Sequence, residues 1–216
     1  HVLSEVFESF AHVNVLQRDM YPSATKFEAE IIAMVIDMLH GPAAGPDVCG
    51  VVTSGGSESL VTALYTYREQ AATDRGVTRP NVVIPTTAHV ALDKGAHWLG
   101  IGMRHAPLTD EFVVDVAAMA DLIDENTIAI VGSAGNYAHG LIDPIAELGQ
   151  LALERGIGLH VDGCLGGFLL PWIAWESEAA AAEYRSVVQA AVGQAGVTEE
   201  MLRGWAEARG ERTRKR

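Results

Sequence analysis

Apolar residues recur at helical spacing through Ile31, Ile32, Val35, Ile36 and Leu39, which predicts a helix over residues 27–40. Gly41-Pro42 and Gly45-Pro46 end it. Val51-Val52-Thr53 is short and β-branched and reads as a strand. It runs into the glycine-rich turn Ser54-Gly55-Gly56-Ser57-Glu58-Ser59, after which a helix extends to about Ala72. Asn81-Val82-Val83-Ile84-Pro85 reads as a buried strand and residues 90–99 as a helix. A weaker strand falls near 101–105, and Asp115 caps an amphipathic helix running to about Ile123. Ile128-Ala129-Ile130-Val131 is the next strand. Pro144 then opens a helix over 144–155 that stops before Gly156, and a strand over 157–161 follows.

Strands alternating with helices of this length predict an α/β fold, a mostly parallel sheet with helices on both faces. In such sheets ligands collect beyond the C-terminal ends of the strands. The glycine-rich turn, the segment Thr86–His89 and Asp162 are all predicted to lie on that rim. After Pro171-Trp172 the character changes. Residues 178–183 are alanine-rich, and a polar helical tail ends in the basic run Arg212-Thr213-Arg214-Lys215-Arg216. The tail reads as a solvated helix, with contact to an anionic surface or partner as the alternative.

The chain has 216 residues, of which 49% are hydrophobic and 20% charged, enough for one α/β domain with a sizeable core. A formal net charge of −13 argues against a nucleic-acid-binding body, although a helix N-terminus can still hold a small anion. Cys49 and Cys164 are far apart and show no metal spacing, so two reduced thiols in a cytoplasmic protein are expected. No apolar run approaches a membrane span, and the start has neither a signal-peptide pattern nor an initiator Met, so a truncated chain is expected.

Candidate chemistry is confined to a few residues. In Ser54–Ser59, glycines permit close approach of a ligand, free N–H groups at the helix start face an anion, and Ser57 and Ser59 add hydroxyls. Plain turn chemistry is the alternative, since the spacing matches neither a dinucleotide fingerprint nor a P-loop. His160 and Asp162 share one face of a strand. An Asp there can cap a helix, ligate a metal, or keep a pyridine nitrogen protonated. A metal site is disfavoured because no cluster of ligands completes it. The His89 imidazole can stack on a planar cofactor or bond at the surface. His97, His105 and His139 read as ordinary.

Taken in order, these residues carry a resemblance. Val52-Thr53-Ser54-Gly55-Gly56-Ser57-Glu58-Ser59, Ala88-His89 with Asp93-Lys94-Gly95-Ala96, His139-Gly140-Leu141-Ile142-Asp143-Pro144 and Leu159-His160-Val161-Asp162-Gly163-Cys164-Leu165-Gly166-Gly167-Phe168 resemble the group II decarboxylase family of pyridoxal 5'-phosphate (PLP) enzymes. The similarity is strongest to its sphingosine-1-phosphate lyase branch and runs from about Phe10 to Trp172. It implies an aspartate-aminotransferase (fold type I) large domain. Residues 1–172 would form part of that domain, with 1–45 an N-terminal helical segment and 173–216 a divergent tail. By position, Gly56 and Ser57 would bind the cofactor phosphate, His89 would stack on the pyridine ring, Asp162 would pair with its nitrogen, and His160 would support Asp162. The implied reaction is carbon–carbon cleavage to an aldehyde and a phosphoethanolamine-type product. Amino-acid decarboxylation and a non-catalytic phosphate-binding or dimerising remnant are the alternatives. A small amine or amino-acid substrate and a homodimer, or pairing with a complete homologue, are likewise implied.

The departures are specific. Ser57 stands where the family usually has Thr, and Gly163 where it has Ala. Asn14-Val15-Leu16-Gln17-Arg18-Asp19 replaces an Asn-Pro-Leu-His-Pro-Asp segment, with Gln17 at a histidine position near the substrate phosphate and Arg18 as a different anion contact. Above all, the chain has only Lys26, Lys94 and Lys215. None sits at the family's Schiff-base position, so no catalytic residue is assigned. This chain alone is expected to be impaired, the product of a truncated or rearranged gene.

Overall fold

The computed structural model describes residues 1–173 apart from 15, 44 and 46, and the tail predicted from 173 lies almost entirely outside the described residues. In chain order the elements are α1 (Val2–Phe10), α2 (Pro22–Met38), a 3-10 turn (Gly41–Ala43), α3 (Gly56–Arg75), β1 (Asn81–Pro85), α4 (Ala91–Leu99), β2 (Gly102–Ala106), α5 (Val116–Asp121), β3 (Thr127–Ser133), α6 (Ile145–Arg155), β4 (Gly158–Asp162) and α7 (Leu170–Ile173).

The four strands form one all-parallel sheet in the order β2-β1-β3-β4. Every residue of β1 and β3 is buried, as expected of central strands covered on both faces. Alternation along each strand divides the core in two. Val82, Ile84 and Val131 pack with Leu60 and Leu64 of α3 and Leu92 and Ala96 of α4. Val83, Ile130, Leu159 and Val161 pack on the other side with Met119 of α5 and Ile145 and Leu148 of α6. Each fully buried leucine, such as Leu64, Leu92 or Leu148, contributes roughly 1.5–3 kcal/mol. Gly95 lets α4 lie close on α3, because a Cβ there would come within 2.8 Å of Val61 Cγ2.

Helix ends follow local chemistry. The Asp115 carboxylate accepts the Ala118 N–H at 3.0 Å and starts α5. Gly100 and Gly156 stop α4 and α6 with φ of 66° and 62°, a conformation that glycine adopts without penalty.

Some expectations are corrected. Residues Val51–Thr53 are not a strand: Val51 and Val52 are exposed, and no ladder partner meets them among the described residues. β-branched composition favours extended chain, but a strand forms only where a neighbour takes its hydrogen bonds. The helix expected over 27–40 begins earlier, with Pro22 at its first position. Helices α1 and α2 both lie within the segment 1–45 expected to be helical; the Val2, Val6, Phe7 and Phe10 side chains of α1 are exposed, as are Phe27, Ile31 and Met34 of α2.

The strand order places the site. The chain steps from β1 outward to β2 through α4, then crosses back through α5 to β3 on the other side of β1, and moves on to β4. Connections after β1 and β3 therefore leave the rim in opposite directions, and a crevice opens between them at the strands' C-terminal ends. No helix among the described residues is long and apolar enough to cross a membrane.

Candidate functional site

The first wall of the site is the start of α3. Its N-cap is Gly55, which has no side chain to offer, so the first-turn N–H groups are not capped by a side chain. Instead the turn is shaped from outside. The Glu58 carboxylate reaches back to accept the Ser54 N–H at 2.7 Å, and hydrogen bonds from Ser54 hold its carboxyl below the usual value. The hydroxyls of Thr53 and Ser59 lie 2.6 Å apart, each within reach of the Gly55 carbonyl at 3.1 and 3.4 Å. Polar side chains thus fix the loop while leaving the helix N-terminus, and exposed Ser57 beside it, open to an anion.

The second wall is the end of β4. His160 and Asp162 face α3, because the intervening Leu159 and Val161 belong to the opposite core. Tyr67 of α3 lies over Gly158, where any Cβ would meet its ring, and its hydroxyl donates to the Leu159 carbonyl at 2.5 Å. Burial raises the Tyr67 phenol pKa. The Tyr67 ring meets the His160 ring edge-on at 6.5 Å. His160 Nε2 is buried and has no hydrogen-bond partner, and burial lowers the imidazole pKa against the opposing pull of Asp162. The site thus holds a neutral ring beneath the carboxylate.

Asp162 Oδ1 accepts the Cys164 N–H at 2.9 Å. Cys164 Sγ in turn lies 3.8 Å from where a Gly56 Cβ would stand. The carboxylate end of β4 and the anion-facing start of α3 therefore meet at one corner.

The third wall spans the crevice. His89 follows β1, and its ring meets Tyr137, from the loop after β3, edge-to-face at 6.1 Å and 84°. Tyr137 is 80% exposed, yet the loop that carries it is anchored. Buried Asp143 accepts the Ser133 N–H at 2.7 Å and the Val114 N–H at 2.9 Å. Its carboxyl is pushed up by burial, with both bonds pulling the other way. Fully buried Asn136 accepts the His139 N–H at 2.8 Å, and its own N–H donates to the Leu141 carbonyl at 2.7 Å. His139 stacks on Phe112 at 4.7 Å.

Gly56, Ser57, His89, His160 and Asp162 thus all fall on one rim. Tyr137, Glu58, Asn136 and Asp143 were not singled out for roles by sequence reasoning. Asp143-Pro144 before an amphipathic helix reads as an ordinary cap, and Tyr137 carries no motif of its own. Arg18 is paired with Glu28 at 3.0 Å rather than held free for an anion. Lys26 bonds Glu30 at 2.6 Å, and exposed Lys94 lies 4.6 Å from the Trp98 ring centroid. His105 pairs with Asp93 at 3.0 Å. Among the described residues no cluster of His, Cys, Asp or Glu could hold a metal ion. A cavity of about 360 Å³ beside Tyr67 and Gly158 and another of about 650 Å³ beside Arg79 and Arg104 lie toward the N-terminal ends of the strands, away from this rim.

The geometry has relatives. The profile of the pyridoxal-dependent decarboxylase conserved domain matches residues 1–179. The chain is 44% identical over 173 residues to a sphingosine-1-phosphate lyase of Arabidopsis thaliana, a match covering 79% of this chain and 32% of that protein. It is 41% identical over 166 residues to a probable L-tyrosine/L-aspartate decarboxylase of Methanocella arvoryzae, covering 77% and 43% of the two. Among solved structures, the sphingosine-1-phosphate lyase of Burkholderia pseudomallei superposes with a TM-score of 0.76 at 44% identity, over 79% of this chain and 40% of that one. The chain spans about a third of the length of the curated lyases it matches.

Proposed function

The chain belongs to the pyridoxal-dependent decarboxylase family, and from that membership we propose that residues 1–172 are part of the cofactor-binding large domain of a carbon–carbon lyase of the sphingosine-1-phosphate lyase kind. The fold is that of the fold type I PLP enzymes. The observation that carries the assignment of the site is the corner where Asp162, through Cys164, meets Gly56 at the uncapped start of α3.

The residues present fit the cofactor. The α3 N-terminus offers N–H groups without a side-chain cap, and Gly56 and Ser57 would hold the phosphate there. The Asp162 carboxylate would accept a hydrogen bond from the protonated pyridine nitrogen, keeping that nitrogen charged. Neutral His160, wedged against Tyr67, would hold Asp162 in place without adding a competing cation. His89 would cover one face of the ring, with Tyr137 fixing its tilt. When bound, PLP supplies an electron sink for the bond being cleaved. The chain's own part is to orient the ring and to hold its nitrogen proton at Asp162.

Of the lysines among the described residues, Lys26 pairs with Glu30 on α2 and Lys94 turns to the Trp98 ring. The described residues would then hold PLP without a covalent anchor of their own. The substrate would be a small phosphorylated amine. The exposed apolar side chains of α1 and α2 support a homodimer or pairing with a complete homologue, and the reduced thiols suit a cytoplasmic setting. Amino-acid decarboxylation is the second function, favoured by the Methanocella relative.

The test is PLP titration followed by borohydride reduction and peptide mass mapping. Saturable binding that dialysis removes, with Lys94 unmodified, is expected. PLP fixed on Lys94 would move the anchor to that residue, and no saturable binding would remove the cofactor site.

A further inference from the structure

We propose that His89 caps helix α4 through Nδ1, and that this bond fixes the proton of its neutral ring on Nε2, so that the rim meets a hydrogen-bond donor there and not an acceptor. This rests on the reading of the rim as the cofactor site only for what the donor faces. The cap itself stands on geometry.

Helix α4 starts at Ala91 after Val90, whose side chain cannot cap it. The first-turn N–H groups therefore need a partner from further back. His89 provides two. Its carbonyl accepts the Leu92 N–H at 2.9 Å, and its ring Nδ1 accepts the Ala91 N–H at 3.1 Å. A ring nitrogen that accepts carries no proton, so in the neutral imidazole the proton lies on Nε2. Two contacts then restrain the ring: the helix bond on Nδ1 and the edge-to-face packing against Tyr137. Being half-buried, the ring keeps part of its surface open to the rim.

The chemical consequence is selectivity. A ligand beside His89 finds an aromatic face for a planar ring and one N–H for an oxygen bearing negative charge. A ligand presenting a donor at that place finds no acceptor. His89 is in this sense a positioning residue whose polarity is set by a backbone N–H two residues away.

The experiment uses the full chain labelled with [15N]histidine and long-range 1H–15N spectra. In the free protein His89 should show a pyridine-type Nδ1 and a pyrrole-type Nε2. The reverse pattern, or one averaged signal for both nitrogens, overturns the proposal. Two variants separate the ring's two edges, since an Asn amide oxygen can stand in for Nδ1 and a Gln amide nitrogen for Nε2. His89→Asn should preserve the exchange protection of the Ala91 amide, whereas His89→Gln should lose it several-fold. Equal protection in both overturns the cap. Addition of PLP should shift the Nε2 signal and leave the Nδ1 type unchanged. If PLP moves no signal while the free-protein pattern is as stated, the cap stands and the cofactor reading falls.

Discussion

His89 and Tyr137 meet edge-to-face at 6.1 Å across the crevice where the connections from β1 and β3 part. The contact ties together two loops that the sheet sends in opposite directions. It also makes Tyr137 the exposed residue that restrains the ring assigned to stack on the cofactor. Aromatic pairs of this geometry contribute about 0.5–1.5 kcal/mol beyond their buried area. Tyr137→Ala should therefore weaken PLP binding about two- to tenfold in a fluorescence titration, with a fall in melting temperature of no more than a few degrees because the side chain is 80% exposed. Tyr137→Phe, which keeps the ring, should bind like the parent protein. A loss equal to that of the Ala variant would assign the effect to the hydroxyl.

Asp143 links the end of β3 to the segment before α5 through two backbone N–H groups. Asp143→Ala leaves both donors buried without a partner, a cost of about 1–3 kcal/mol for each. The variant should unfold at clearly lower denaturant concentration, and the amides of Ser133 and Val114 should lose exchange protection together. Unchanged stability would mean that the rim loop is held by Asn136 alone.

Asp124 sets the acid limb of stability. The Asn81 amide donates to its Oδ1 at 2.8 Å, and the Arg104 guanidinium pairs with its Oδ2, lowering its pKa to about 2 from the ordinary 3.8. Because the folded value lies below the unfolded one, the unfolded chain binds more protons between them and stability rises with pH across that window. The contribution is complete above pH 3.8 and fades as pH falls through about 2. Asp124→Asn should flatten the dependence of unfolding free energy on pH in that interval. A variant with the parent's slope would show that other carboxylates govern acid unfolding.

The central strands were legible because burial on both faces demands unbroken apolar runs such as Val82-Val83-Ile84, which few other structures produce. The rim was legible for His89 and Asp162 because parallel topology gathers strand ends, whereas Ser54–Ser59 follows no strand and joins them at the start of α3 through Gly56 and Cys164. Val51–Thr53 was misread because propensity carries no information about a ladder partner. Asp143, Asn136 and Glu58 stayed hidden for a related reason. Nothing in a linear sequence distinguishes a carboxylate facing solvent from one holding two backbone N–H groups in the core. The bounds of α1 were not legible within the helical segment 1–45, because its apolar side chains are exposed and mark no buried stripe.

Asp162, through Cys164, meets the start of α3 at the corner on which the proposed cofactor site depends. The measurement that addresses it is the PLP dissociation constant of the parent protein beside that of Asp162→Ala, by isothermal titration. A charge-assisted hydrogen bond contributes about 1.5–3 kcal/mol, so the variant should bind PLP about 10- to 150-fold more weakly, with its fold intact by circular dichroism. Equal affinity in the two proteins, or no saturable binding in either, would contradict the assignment of this rim as a PLP site.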